Sequence, residues 1–217
     1  VRSRIRWVPL KWRVATFRPG QGGMANRTAA VVKEVKETAS AGGQTLVFVQ
    51  SRLRAEQLAS GLAREGLRAK AHHAGLGSEE REEIERMMRD GDVQCVVATP
   101  TLSMGCNFPV RKCVIHDLQR YEQGQAVPLS VNDVWQLGGR AGRKGLDESG
   151  EVVLLAGQHE SGMAWQYTKG VFEAVRSRMT EKASMAGQVL AMVGSRLATS
   201  PGQLKRLMAR TLALWTM

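Results

Sequence analysis

Acidic residues are scarce in this chain. Its 217 residues hold 20 Asp and Glu against 31 Lys and Arg, a net charge of +11. That balance favours a polyanionic partner, nucleic acid first. An anionic membrane surface is the rival, but no long basic amphipathic segment supports it. Aromatic residues make up only 5% of the chain, while hydrophobic residues reach 43%. This is ordinary for a helix-rich α/β protein and excludes a disordered one. The length suits one good core plus part of a second domain. No apolar run is long enough to span a bilayer, and no signal peptide is visible. The expectation is an intracellular protein, cytoplasmic or nuclear, with no membrane partner. Cysteine is also rare: Cys95, Cys106 and Cys113 form no C-x-x-C pair. Cys95 and Cys113 lie in apolar runs, which fits buried thiols rather than metal ligands. An odd count without a framework fits a reducing compartment.

What the chain does contain is an alternation. Residues 1–18 interleave arginines with Ile5, Trp7, Val8 and Leu10, as a short strand or an extended lead-in. A helix follows over 27–41, with Ala29, Val32 and Val35 in register. Gln44–Val49 is a β-branched apolar run of the kind covered on both faces of a parallel sheet. Ser51 is placed to cap the next helix, whose buried stripe is Ala55, Leu58, Ala59 and Leu62. A weaker strand spans 67–72. A helix opens at Ser78-Glu79-Glu80, and further buried strands cover 93–98, 112–116 and 151–155. Glu79, Glu80, Glu82, Glu83 and Glu85 read as a solvated helix face. Strands alternating with helices imply a parallel α/β sheet, whose ligands bind beyond the carboxyl ends of the strands. From about Gln158 the texture turns helical, over 163–179 and 183–197, with a capped helix opening at Ser200-Pro201-Gly202-Gln203. The expected domains are 1–157 and 158–217, the second cut short at Met217, so that the chain reads as a fragment.

The chain is organised around Gln136-Leu137-Gly138-Gly139-Arg140-Ala141-Gly142-Arg143. Ser130-Val131-Asn132-Asp133 has the spacing of a capping box and predicts a helix whose C-terminal part carries both arginines. Three apart, they would share one helix face and reach one ligand. Gly138, Gly139 and Gly142 would let something approach the backbone. A forked, permanent cation suits phosphate oxygens. Taken alone, the pair fits a solvated basic helix end better, since charged pairs on helices are usually surface.

Four stretches then stand in order: Leu46 to Arg52, His72-His73-Ala74-Gly75-Leu76, Ala98 to Pro109, and Gln136 to Arg143 with Lys144 to Asp147. Together they resemble the second RecA-like domain of superfamily 2 helicases. The nearest likeness is the DExH-box class of archaeal fork-remodelling DNA helicases and exosome-associated RNA helicases. The resemblance covers about residues 1–157; residues 158–217 look like the start of that class's winged-helix domain. Leu137 and Met104 fill apolar slots that other members often fill differently.

The resemblance implies a RecA-like parallel sheet and a role in ATP-dependent unwinding. By it, Arg140 and Arg143 are arginine fingers on the ATP phosphates, and Gln136, Gly105 and Asn107 line the nucleotide, with Asn107 near the ribose. Ser51, Arg52, His73, Thr99, Thr101 and Tyr121 face single-stranded or forked nucleic acid. Ser51 and Arg52 open a helix, where anions bind readily, and Thr99 and Thr101 are short hydroxyl donors suited to phosphate. Adjacent His72 and His73 lack Cys, Asp or Glu at ligand spacing, so no metal is expected. The chain has no G-x-x-x-x-G-K-[ST] loop and no acidic D-E-x-H-type box. In the family both lie on the first RecA-like domain, which would hold ATP and Mg2+ and partner this one. This chain alone is then expected to be inactive. The sequence also admits a non-catalytic nucleic-acid-binding module, or a basic interaction domain that uses no nucleotide. DNA and RNA are not distinguished.

Finally, Asp117 to Leu129 is longer than a plain connection requires. Gln123-Gly124 is a credible turn, with Leu118 and Tyr121 before it and Val127 and Leu129 after it as two arms. In DNA-unwinding members of the resembled class a β-hairpin here wedges the duplex apart; Tyr121 would offer the stacking face. The other reading is a surface loop padding the arginine helix.

Overall fold

A computed structural model of the chain describes residues 8–17, 23–100, 110–122, 124–174 and 182–210. The apolar runs become strands of one sheet: β1 Leu10–Phe17, β2 Thr45–Phe48, β3 Ala69–His72, β4 Cys95–Ala98, β5 Lys112–Ile115 and, after a separate pair, β8 Gly150–Gly157. All are parallel, in the order β1-β8-β5-β2-β4-β3. The strand expected near the start of the chain is thus the edge strand β1. It pairs with β8 along its whole length, and Arg13 ties it to Glu151 and to Glu34 beneath.

Helices α1 Gly23–Ser40 and α2 Arg52–Arg64 cover one face; α3 Ser78–Asp90, α4 Val131–Gly138 and α5 Ser161–Thr168 cover the other. Alternate strand residues feed the two cores: Val47, Val97, Val114 and Val153 face α1 and α2, while Leu46, Phe48, Cys113 and Leu154 face α3 to α5. The α2 stripe of Ala55, Leu58, Ala59 and Leu62 is buried as expected. Of the α1 positions expected inside, Val35 is buried and Val32 packs on the core, but Ala29 is exposed, and Val31, Glu34 and Thr38 are buried as well. Glu34 turns inward because Arg13 and Lys112 both bond its carboxylate.

The connection after β5 forms its own two-stranded sheet, β6 Gln119–Glu122 and β7 Gln125–Pro128. Gly124 takes φ +82°, the left-handed turn that glycine permits.

The helix expected over 163–179 stops at Thr168. Gly170 has φ +62° and packs against the Trp135 indole, and residues 171–174 are not helical. Residues 175–179 lie outside the described residues. The chain divides into two compact units, Val1–Phe172 and Glu173–Met217. The expected boundary at 157/158 falls inside the first unit, because α5 packs on β1 and β8. The second unit holds α6 Lys182–Gly194 and α7 Pro201–Ala209, the latter capped by Ser200 with Pro201 in its first turn. No described helix is long and apolar enough to cross a membrane.

Candidate functional site

Three of the singled-out stretches leave the carboxyl edge of the sheet, after β2, β3 and β4, and the connection over 117–129 leaves it after β5. Beyond β2, the exposed Ser51 caps α2, its hydroxyl accepting from Arg54 N–H at 3.2 Å. Arg52 is exposed and lies across Gly75 of the β3–α3 loop. A side chain on Gly75 would meet both Arg52 and the His73 ring at 3.1–3.2 Å. Thr99 follows β4, is buried, and donates its N–H to His72 O. Thr101, Gly105 and Asn107 lie outside the described residues.

The two histidines face inward. The His73 side chain is 3% exposed; its Nε2 meets Glu56 of α2 at 3.1 Å and its Nδ1 accepts Gly75 N–H at 3.2 Å. With Nδ1 an acceptor, the proton sits on Nε2. Both ring nitrogens are therefore taken. The His73 ring, expected to face nucleic acid, lies beneath the loop that Arg52 crosses. His72 reaches the other way, Nε2 to Glu85 of α3 at 3.3 Å. Burial pushes its pKa below the ordinary histidine value, the Glu85 carboxylate opposing. Glu85 is accordingly half-buried rather than part of the solvated acidic face; Glu79, Glu80, Glu82 and Glu83 are exposed.

The hairpin β6–β7 projects from this same edge. Its base is closed by Leu129 N–H donating to Leu118 O at 2.9 Å, with both side chains buried. Tyr167 of α5 donates its hydroxyl to Leu129 O at 2.6 Å. Tyr121, near the tip, is 82% exposed. Arg120 reaches from β6 to Asp133 of α4 at 2.7 Å.

Helix α4 starts beside that base. Ser130 caps it, accepting Asp133 N–H at 3.0 Å. Gln136 lies partway along, lining a pocket of about 110 Å³ with Gln50, Pro100, Arg120 and Asp133. The helix ends at Gly138, so neither Arg140 nor Arg143 is on it. This corrects the expectation of a shared helix face. Gly138 presses against Trp12 and Val152, where a Cβ would come within 2.8 Å of the Trp12 ring. Gly142 has φ +92° and a Cβ there would lie 2.5 Å from Val8. Gly138 and Gly142 thus make room for the protein's own core.

Past the helix the backbone zips onto the segment before β5: Val110 N–H donates to Arg140 O at 3.1 Å and Gly142 N–H to Val110 O at 2.6 Å. Since Val110 precedes β5 and Gly150 opens β8, the arginine loop lies at the amino edge of the sheet. Arg140 is half-buried. Arg143 lies on Asp147, Nε to Oδ2 at 2.9 Å and Nη2 to Oδ1 at 3.1 Å, while Arg143 N–H also donates to Oδ2 at 2.9 Å. Arg111 joins the same carboxylate at 3.3 Å. Burial alone would raise the Asp147 pKa, but the hydrogen bonds from Arg143 and the charge of Arg111 hold it below the ordinary carboxylate value. The Asp147 bond raises the Arg143 pKa above its ordinary value. Sequence reasoning gave Asp147 no role; the signal available was its i+4 spacing from Arg143. Among the described residues no cluster of three or more His, Cys, Asp or Glu is arranged to hold a metal ion.

The family model for the helicase conserved C-terminal domain matches residues 26–145. The chain is 32% identical, over 88% of its length, to an ATP-dependent DNA helicase Hel308 of Pyrococcus abyssi, of which the match covers 32%. It is 33% identical over 92% of its length to the Thermoplasma volcanium protein of the same description, covering 34% of that relative. It is 32% identical over 98% to the one from Pyrobaculum calidifontis, covering 36%. The chain therefore spans about a third of the length of these curated relatives.

Proposed function

From the premise that this chain belongs to the helicase conserved C-terminal domain family, as a superfamily 2 helicase C-terminal domain, we propose that it is the second motor domain of an ATP-dependent helicase acting on DNA. The relatives' description as DNA helicases favours DNA over RNA as the natural strand. In this reading Arg143, with Arg140 beside it, meets the γ-phosphate of an ATP bound mainly by a first RecA-like domain. Gln136, Gly105 and Asn107 belong to the same nucleotide face. Fixed guanidinium donors stabilise charge on a phosphoryl group in transfer. Mg2+ would neutralise phosphate charge from the first domain's side.

Ser51, Arg52, Thr99 and Thr101 grip the strand backbone, which carries no sequence code, so binding is sequence-tolerant. His73 and Glu56 support that grip from beneath. Tyr121 on the hairpin stacks on the first unpaired base and wedges the duplex. Residues after Phe172 begin a winged-helix domain.

One observation carries this reading: α4 spans the sheet from hairpin to arginines. Its first turn is tied to β6 through Arg120 and Asp133, and its end runs directly into the Arg140–Arg143 loop. A stiff helix of this kind lets a change at the phosphate reach the fork. The test uses full-length protein with residues 120–126 replaced by a short Gly-Ser turn. Unwinding is expected to collapse while strand-stimulated ATPase persists. If unwinding survives, the wedge is wrong; if both fall together, the hairpin was merely propping α4.

A further inference from the structure

The β2–β5 ladder ends where the hairpin begins. Its last backbone bond is His116 N–H to Phe48 O at 2.9 Å. One residue further on, a side chain takes over: Asp117 Oδ2 accepts Gln50 N–H at 3.1 Å. The other oxygen, Oδ1, accepts from Arg54 Nη1 of α2 at 2.7 Å, from His116 Nδ1 at 2.9 Å and from Arg27 Nη1 of α1 at 3.2 Å. An ionised carboxylate only accepts, so His116 carries its proton on Nδ1. Arg27 extends the chain with Nη2 on Glu160 Oε2 at 2.9 Å, and that oxygen caps Gly157 N–H at the end of β8. Asp117 is buried, and burial would raise its pKa; the bonds from His116, the charge of Arg54 and the Gln50 N–H hold it below the ordinary carboxylate value.

This arrangement joins two parts of the site. Gln50 directly precedes Ser51 and Arg52, the turn read above as gripping the strand. Leu118, which closes the hairpin base, directly follows Asp117. A single carboxylate thus stands between the grip and the wedge, held by charged donors from both covering helices. Charge-assisted bonds of this kind are short and directional, which suits alignment rather than bulk packing. We propose that Asp117 is a positioning residue that locks the hairpin base to the β2–α2 turn, so that strand grip and wedge advance as one body. The proposal rests on the motor reading above and adds that the coupling between the two parts runs through this side chain.

The measurement is base pairs unwound per ATP hydrolysed by the full-length protein on forked DNA, with thermal midpoint and the KM for ATP in parallel. Asp117→Asn keeps the shape and an acceptor for Gln50 but loses the charge that holds both arginines. Arg54→Gln removes one donor from a side chain that is 38% exposed, so the fold survives even where Asp117→Asn unfolds. Displacing the hairpin against the grip is expected to lower the base pairs per ATP by about ten-fold or more in Asp117→Asn, and less in Arg54→Gln, with KM unchanged. A purely structural role lowers the midpoint and scales unwinding and ATPase alike. A ratio unchanged in both variants overturns the proposal. Hairpin replacement separates the levels. If it leaves unwinding intact, the wedge reading fails first; if it abolishes unwinding while both variants keep the wild-type ratio, only the Asp117 coupling fails.

Discussion

Arg143 and Asp147 form a two-pronged ion pair at the amino edge of the sheet, Nε on Oδ2 at 2.9 Å and Nη2 on Oδ1 at 3.1 Å. The Asp147 side chain is 1% exposed and that of Arg143 21%. The arginine is therefore aimed by a buried anchor, with part of the fork left toward solvent.

Arg143→Ala in the full-length protein is expected to cut ATP turnover by about 10³-fold, as loss of an arginine finger does. Single-strand affinity should stay near wild type, because the proposed lost contact is to phosphate in transfer. Arg143→Lys should fail as well, since a point charge cannot replace the fork on Asp147. Steady-state ATPase within a few-fold of wild type would remove Arg143 from the site.

Asp147 makes stability depend on pH in a definite direction. Its folded pKa is depressed, so the unfolded chain takes up the proton first as pH falls below about 4. The pair's contribution is full above that value and is lost as pH falls through the folded pKa. Asp147→Asn should cost up to about 3 kcal/mol at pH 7, the low end for a buried pair, because both arginines keep solvent contact. Urea unfolding at pH 7 and pH 3 checks this: the gap between wild type and variant should close in acid.

Gly142 and Gly145 both have positive φ, +92° and +81°. A Cβ at Gly142 would strike Val8, whereas nothing lies within 4 Å at Gly145. Gly145→Ala should cost about 1 kcal/mol, the conformational penalty alone. Gly142→Ala should cost that plus an overpacking penalty of about 1–3 kcal/mol. Equal losses in chemical denaturation would mean that Val8 moves aside freely.

His72 is depressed by burial, so the folded state resists its protonation. Between the unfolded value near 6.5 and the lower folded one, the unfolded chain binds more protons and stability falls as pH falls. His72→Gln should flatten the slope of unfolding free energy between pH 7 and pH 5. An unchanged slope would assign the dependence to another group.

The chain by itself lacks a phosphate loop, and so ATP hydrolysis by residues 1–217 should be absent with or without DNA. It should still bind single strands weakly, with affinity falling steeply as salt rises. Arg52→Ala should weaken that binding for all sequences alike. Salt-independent binding, or a sharp sequence preference, would argue for a basic interaction domain instead.

The buried strands and several helix starts are legible in the residue pattern. Buried parallel strands must be apolar on both faces, so 44–49, 93–98, 112–116 and 151–155 announced themselves, and Ser51, Ser130 and Ser200 marked helix starts through their caps. The hairpin was legible too, because Gly124 supplies the positive φ that its turn needs. Tertiary structure alone decided which charged groups turn inward. Arg143 lies off the helix expected to carry it: α4 stops at Gly138, Gly142 takes a positive φ, and the backbone zips onto Val110. His73 and Glu85 carry no local signal of burial, yet each is drawn in by a partner on another element: Glu56 lies 17 residues from His73, and His72 lies 13 from Glu85. The role of Asp117 is not legible in the sequence because its arginine donors lie 63 and 90 residues away, at Arg54 and Arg27. Periodicity reports what one element buries. It carries no information about which distant donor will meet a buried carboxylate, since that pairing exists only once parallel strands bring their carboxyl ends together.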